Sequence, residues 1–244
     1  MSELKKKLLV NYLRITKGLN KYSAMQKAAY VKGTSDHDEH NENSDYWDVL
    51  LGPIKENPEA WSGKVAMDFG CGQGRNINNL YKLADFKRID GVDISEENIS
   101  DCTVRFKDKE GVFYCNNGTD LSDVASNTYD LVMSTIVFQH IAVYDIRKSL
   151  LTDIYRSLKE NGKLTIQMGF GPKLEDSNGN PLADYYQNTW DAKGTNSDFD
   201  VQVRDEKELT EDLEKIGFKI ESIKVLPSFS DIRHESWIYV VASK

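Results

Sequence analysis

Several things are scarce in this 244-residue chain, and each scarcity narrows what the protein can be. No apolar run approaches the ~20 residues that span a bilayer, so no membrane-crossing helix and no membrane partner are expected. The opening stretch, MSELKKKLLVNYLRITKGLN, offers only LLV after its basic segment. Asn11, Arg14 and Lys17 then interrupt it, which does not fit a signal peptide. Basic charge is also short: 31 Lys and Arg stand against 39 Asp and Glu, a formal net charge of −8. A phosphate backbone needs a basic face, so nucleic acid is not the expected partner. The three cysteines, Cys71, Cys102 and Cys115, show no CxxC spacing and read as reduced thiols, as in a cytoplasmic protein. His37 and His40, spaced H-x-x-H in the polar stretch GTSDHDEHNENSD, read as solvated, and no metal is expected.

What is present alternates. KVAMDF (64–69), RIDGVDI (88–94), GVFYC (111–115), YDLVMS (129–134) and KLTIQM (163–168) are short apolar runs that read as strands. Between them lie amphipathic stretches: about 74–84, then 95–109 opened by Ser95 as N-cap with acidic residues behind it, then 143–162 closed by Gly162. A further helix is expected at 205–217. FKIESIKVL (218–226) and WIYVVASK (237–244) read as two strands whose link is too short for a helical crossover, hence an antiparallel pair. The βαβα punctuation implies an α/β, doubly wound, mostly parallel sheet. Two segments fall outside it, residues 1–60 and the Gly-, Asn- and Asp-rich stretch 169–204.

The stretch VAMDFGCGQGRNI (65–77) carries the functional signal. Three glycines, Gly70, Gly72 and Gly74, follow a strand, where ligands bind in open α/β sheets. Their spacing is G-x-G-x-G, not the dinucleotide G-x-G-x-x-G, and no P-loop Lys-Ser/Thr follows. Asp68 stands two residues before Gly70, where a pyrophosphate would be repelled and an ammonium attracted. Asp93 ends the second strand, 23 residues after Gly70, close to the ~20 at which an acidic side chain meets ribose hydroxyls. A ribose joined to a cationic tail, not a diphosphate, is the ligand these residues describe; S-adenosylmethionine is such a molecule.

VAMDFGCGQGRN, IDGVDIS, NNGTDL, YDLVMSTIVFQHI and LKENGKLTIQM, in that order, resemble the successive motifs of class I S-adenosylmethionine-dependent methyltransferases. The resemblance spans about residues 60–170. It implies a seven-stranded sheet with an antiparallel last strand, an N-terminal helical cap (1–60) and a cofactor domain (61–244). Within that domain, 169–204 would be a substrate-loop insertion. It also implies roles. Asp68 with the backbone of Gly70, Cys71 and Gly72, in a turn completed by Gly74, would hold the methionine end. Asp93 would take the ribose hydroxyls, with Ile94 against the adenine. Asp120, flanked by Thr119 and the Leu121 amide, would meet the adenine amino group. Ser134 and Thr135 would line the site near the sulfonium.

The acceptor is less legible. A base is required for a hydroxyl acceptor and much less for a deprotonated amine. Of the four histidines, His140 after the fourth strand and His234 between the last two strands are the candidates, with packing as the alternative reading for His140. Arg233 beside His234 could reach an acceptor. Tyr30, Tyr46 and Trp47 could form a lid, and Tyr185, Tyr186 and Trp190 could line the substrate side. STIVFQ stands where adenine and glutamine methylases carry N/D-P-P-Y, which with the acidic charge points to a small-molecule acceptor at oxygen or nitrogen. An NAD-dependent oxidoreductase on a related fold, a non-catalytic cofactor-binding module and a macromolecular methyltransferase are the competing readings.

Overall fold

The structure, a computed structural model, describes residues 19–30, 46–172, 183–187, 200–228 and 234–244. Alternation of apolar side chains builds its centre. β1 (Val65–Phe69), β2 (Arg88–Asp93), β3 (Phe113–Cys115), β4 (Tyr129–Thr135), β5 (Leu158–Phe170), β8 (Lys219–Pro227) and β9 (Ser236–Ser243) form one seven-stranded sheet in the order β3-β2-β1-β4-β5-β9-β8. Neighbouring strands from β3 to β5 pair in parallel, and β9 runs antiparallel to both β5 and β8. The expected seven-stranded sheet with an antiparallel last strand is therefore present. Two short strands, β6 (Ala183–Tyr185) and β7 (Asp200–Gln202), pair separately, and β7 continues into a bridge between Val203 and Phe170 at the end of β5.

Because successive strand residues face opposite ways, the sheet buries both faces. Met67, Phe69, Val132, Ile238 and Val240 pack on one side with Ile146, Leu150 and Ile154 of α6 (Tyr144–Ser157). Ala66, Leu131, Met133, Trp237 and Tyr239 pack on the other with Ile77 and Leu80 of α4 (Arg75–Leu83). Leu50, Leu51 and Ile54, from α2 (Tyr46–Val49) and α3 (Gly52–Glu56) and the residues between them, seal that second face. α5 (Glu96–Arg105) starts as expected: the Ser95 hydroxyl accepts from the Asn98 amide at 3.3 Å. α7 (Glu206–Ile216) ends at Gly217, whose φ of 124° closes the helix. Among the described residues, no helix is long and apolar enough to cross a membrane.

One boundary differs from expectation. α6 stops at Ser157, not at Gly162, and Leu158 already belongs to β5. The Thr128 amide donates to Ser157 O at 2.7 Å and Leu158 pairs with Tyr129, so sheet bonding takes over the backbone. Residues 159–162 loop out before Lys163 rejoins beside Leu131, with Asn161 at a φ of 61°. The final Lys244 amide closes that loop by donating to Gly162 O at 3.0 Å.

In this order the chain leaves β1 for β2 and β3 on one side and returns to β4 on the other. The carboxyl ends of β1 and β4 therefore flank a crevice at the point where strand order reverses.

Candidate active site

Two loops form that crevice. The first, Gly70–Gly74, carries three left-handed glycines, at φ of 77°, 52° and 85°. At Gly70 a side chain is also excluded by space: a Cβ there would lie 2.2 Å from Val137 of the second loop. That second loop leaves β4 through Ile136 and a short 3-10 helix, Phe138–His140. Ile136 has a φ of 57°, a conformation that a β-branched residue adopts at a cost.

The loops and a third element, α1 (Leu19–Tyr30), enclose two adjoining cavities. One is mainly apolar. Phe69, Val92, Ile94, Val137 and Ile141 line it with Asn116 and Gly118, and Tyr22, Gln26 and Tyr30 of α1 cover it. The other is the more polar of the two, bounded by the Gly70–Gln73 turn, Arg75, Asn76 and Thr135. Gly70, Asp93, Ile136 and His140 line both. α1 is stitched down: Tyr22 Oη accepts from the Ala142 amide at 2.6 Å, and the Ser23 hydroxyl donates to Asn117 O. Burial pushes the Tyr22 phenol up to about 12, so it stays protonated.

Asp93 sits where the cavities meet. Its Oδ2 accepts from the Gly72 amide at 2.9 Å; its Oδ1 accepts from the Ser95 amide at 2.8 Å and from Asn98 Nδ2 at 3.2 Å. A carboxylate offers about four acceptor sites, so capacity remains for ribose hydroxyls. Asp68 is wholly buried, with the Asn76 side chain beside it. Burial pushes its carboxyl up from 3.8 to about 7, aided by Asp93 and opposed by Asn76 and Arg75. Asp68 lines neither cavity, so an ammonium in the neighbouring polar cavity would meet its charge only at longer range. A flat base suits the apolar cavity, hydroxyls suit Asp93, and the carboxylate of an amino-acid tail suits Arg75, whereas the amides of Gly70, Cys71, Gly72 and Gly74 already donate to Val92 O, Asp93 Oδ2 and Cys71 O. The residues present therefore fit S-adenosylmethionine.

Other expected residues sit elsewhere. Ser134 faces away from the crevice and donates to Phe69 O at 3.0 Å, tying β4 to β1; only its neighbour Thr135 lines the polar cavity, accepting from Asn76 Nδ2 at 2.8 Å. Gly74 caps α4 under Phe106 and lines neither cavity. Thr119, Asp120 and Leu121 also lie off the lining. Asn117 Oδ1 gathers the amides of Thr119 and Asp120, Asp120 Oδ1 accepts from Asn117 Nδ2, and the Leu121 amide donates to Asp153 at 3.0 Å. Asn116 and Gly118 of the same turn do line the apolar cavity. Asn116 carries an amide side chain, and its signal was the Asn-Asn-Gly turn itself. Cys71 lines the polar cavity, but Cys102 beside it at 4.0 Å and burial hold its thiol well above the usual range, against a nucleophilic role.

His140 meets the expectation of position; His234 does not reach the cavities and is buried at 1% exposure. Both converge on Asp200, a residue the sequence did not single out. His140 Nδ1 stands 2.7 Å from Asp200 Oδ1, and His234 Nε2 3.4 Å from Oδ2. Burial would raise the Asp200 carboxyl, but the two imidazoles outweigh it and hold it well below the usual carboxylate range. The Tyr30 ring lies tilted beside His140, with centroids 6.2 Å apart. Tyr186 is buried against Tyr144 and Arg147 and is not a lining residue. Arg233 and Trp190 and the side chains of Tyr46, Trp47 and Tyr185 lie outside the described residues.

Comparison with known proteins agrees with this geometry. Residues 67–166 match the family model described as a methyltransferase domain. No curated protein sequence matches the chain. A solved S-adenosylmethionine-dependent methyltransferase from Mesorhizobium loti is similar at 16% identity, covering 83% of this chain and 99% of that one, with a TM-score of 0.62. One from Clostridium acetobutylicum is 16% identical over 90% of this chain and 98% of that one, with a TM-score of 0.60. Phosphoethanolamine N-methyltransferase 2 of Haemonchus contortus, solved with phosphomonomethylethanolamine and S-adenosylhomocysteine, is 18% identical. That match covers 80% of this chain and 52% of that one, with a TM-score of 0.57. Residues 67–166 thus carry a methyltransferase domain, seated on a sheet of this order beside a crevice of this chemistry, in a chain whose fold is that of S-adenosylmethionine-dependent methyltransferases.

Proposed function

We propose that this methyltransferase acts on an oxygen or nitrogen of a small-molecule acceptor, enclosed between α1 and the loop after β4. The observation that carries the reading is the position of His140, the one basic side chain among the described residues that borders both cavities where their linings meet. A hydroxyl acceptor needs a base at that junction, and imidazole, with an ordinary pKa of ~6.5, serves at neutral pH. An amine arriving deprotonated would use the same residue as a hydrogen-bonding guide.

Bound S-adenosylmethionine supplies an already activated methyl group, so the protein's work is alignment and exclusion of water. The Gly70–Gly72 turn and Asp93 would fix the two ends of the nucleoside. Tyr22, Gln26 and Tyr30 would close over it, which supports reading the N-terminal segment as a lid. The net charge of −8 disfavours a nucleic-acid acceptor. The Haemonchus contortus relative acts on a small amine, which adds support for a small acceptor without naming this one.

Incubation with methyl-labelled cofactor and fractionated metabolite extract tests the proposal. A labelled small molecule, absent when His140→Gln replaces the wild type, is the expected result. Label confined to protein or RNA would overturn it.

A further inference from the structure

The insertion brings one carboxylate to the candidate base, and the hydrogen bonds around it specify protons. Asp200 opens β7. The insertion is anchored there by the Val203 amide, which donates to Gly169 O at 3.0 Å, and by the Gly171 amide, which donates to Val203 O at 2.9 Å. Gln202 Nε2 donates to Gly171 O at 2.8 Å, which fixes which way round the amide sits. Its oxygen therefore faces His234 Nδ1 at 3.0 Å, and that nitrogen carries a proton. The other His234 nitrogen points at Asp200. The ring has room only because residue 169 is glycine: a Cβ there would lie 2.4 Å from it. One oxygen of Asp200 thus faces a wholly buried imidazole, which can donate to it only when both ring nitrogens carry protons, while the other meets His140 at 2.7 Å.

An ionised carboxylate only accepts, so His140 Nδ1 must be the donor. The neutral ring then has its lone pair on Nε2. Among the three side chains His140 is the only one with substantial exposure, 27% against 8% for Asp200 and 0% for His234. Its exposed side borders the crevice.

We infer that Asp200 is a positioning residue which fixes His140 in the Nδ1–H tautomer with Nε2 as the proton-accepting atom, and that His234 and Gln202 hold Asp200 in place. The inference rests on the methyltransferase reading and on a hydroxyl acceptor. As the acceptor oxygen gains the methyl group, its proton passes to Nε2. The sulfonium's positive charge disappears with the break of the carbon–sulfur bond, and the imidazolium that replaces it is paired with Asp200. An imidazole without this carboxylate would divide between tautomers, and part of the population would present a proton where a lone pair is needed.

The test is long-range proton–nitrogen correlation NMR on the full chain labelled at histidine nitrogen, near pH 8, with His140→Gln assigning the signal. In the wild type His140 is expected to show a protonated Nδ1 and a pyridine-type Nε2. Asp200→Ala is expected to lose that pattern and shift to the Nε2–H form that free histidine favours. A wild-type His140 already protonated on Nε2 would overturn the inference, however the variant folds; so would an Asp200→Ala spectrum identical to wild type. Calorimetry with S-adenosylhomocysteine on the same samples keeps the readings apart. Unchanged affinity in Asp200→Ala is expected, whereas no binding by the wild type counts against the cofactor crevice and leaves the tautomer result standing.

Discussion

The Gly72 amide donates to Asp93 Oδ2 at 2.9 Å, so the turn that leaves β1 is tied to the tip of β2 by the carboxylate placed for ribose. Structure and binding therefore share one side chain. Asp93→Ala strands the Gly72 and Ser95 amides and the Asn98 amide nitrogen at once. Each buried donor left unpaired costs about 1–3 kcal/mol. This variant should lose at least about 2 kcal/mol of unfolding free energy in denaturant titration. Asp93→Asn keeps one oxygen and should lose less stability. It should still bind S-adenosylhomocysteine roughly 10- to 100-fold more weakly, since a charged acceptor contributes about 1.5–3 kcal/mol. Wild-type affinity in Asp93→Asn contradicts the ribose assignment.

Asp68 makes the unliganded protein pH-sensitive. Its folded carboxyl titrates near 7, above its ordinary 3.8, so the folded state binds more protons. Stability must then fall as pH rises from about 4 to 7 and level off beyond, by at most about 4 kcal/mol from this group. Asp68→Asn should flatten that slope, and its advantage over wild type should grow with pH. Binding has the opposite sign. An ammonium favours the carboxylate, so S-adenosylhomocysteine affinity in the wild type should rise with pH toward 7 and stay flatter in Asp68→Asn. Parallel curves for the two proteins, in melts and in calorimetry, would tell against a role for this charge.

Ile136 holds left-handed backbone at a φ of 57° while bordering both cavities. That conformation costs a non-glycine residue about 1–2 kcal/mol, and glycine's extra unfolded-state freedom costs about 0.5–1. Since the side chain is 39% exposed, little burial is lost on its removal. Ile136→Gly should leave unfolding free energy within about 1 kcal/mol of wild type yet weaken S-adenosylhomocysteine binding several-fold. A clear loss of stability with unchanged binding would mean that the residue serves packing alone.

Gly169 and Gly171 form a matched pair. A Cβ at 169 meets the His234 ring at 2.4 Å, whereas at 171 the nearest atom is 3.5 Å away. Gly169→Ala should cost about 1–3 kcal/mol by overpacking. Gly171→Ala should be near neutral. Equal thermal shifts in the two variants would contradict the tight seat described for His234.

Local pattern made much of this legible. Alternation and the short link between β8 and β9 announced the sheet, and the glycine spacing with Asp68 and Asp93 announced the crevice. What escaped was decided at long range or by which way a side chain points. The end of α6 depended on the pairing of Leu158 with Tyr129, which competes with helix continuation. Ser134 and Thr135 are neighbours of equal polarity, and only strand alternation sends one to the crevice and the other to Phe69 O. Asp120, expected at the adenine, lies off the cavity lining in a turn that Asn117 gathers around itself. Asp200 stands 60 residues from His140 in a polar insertion with no helical or strand period to mark it.

The central claim is tested most directly by calorimetric titration of the purified chain with S-adenosylhomocysteine and, separately, with NAD. One molecule of S-adenosylhomocysteine per chain, displaced by S-adenosylmethionine and accompanied by no heat from NAD, is the predicted result. A cooperatively folded chain that takes up NAD, or neither compound, would contradict it.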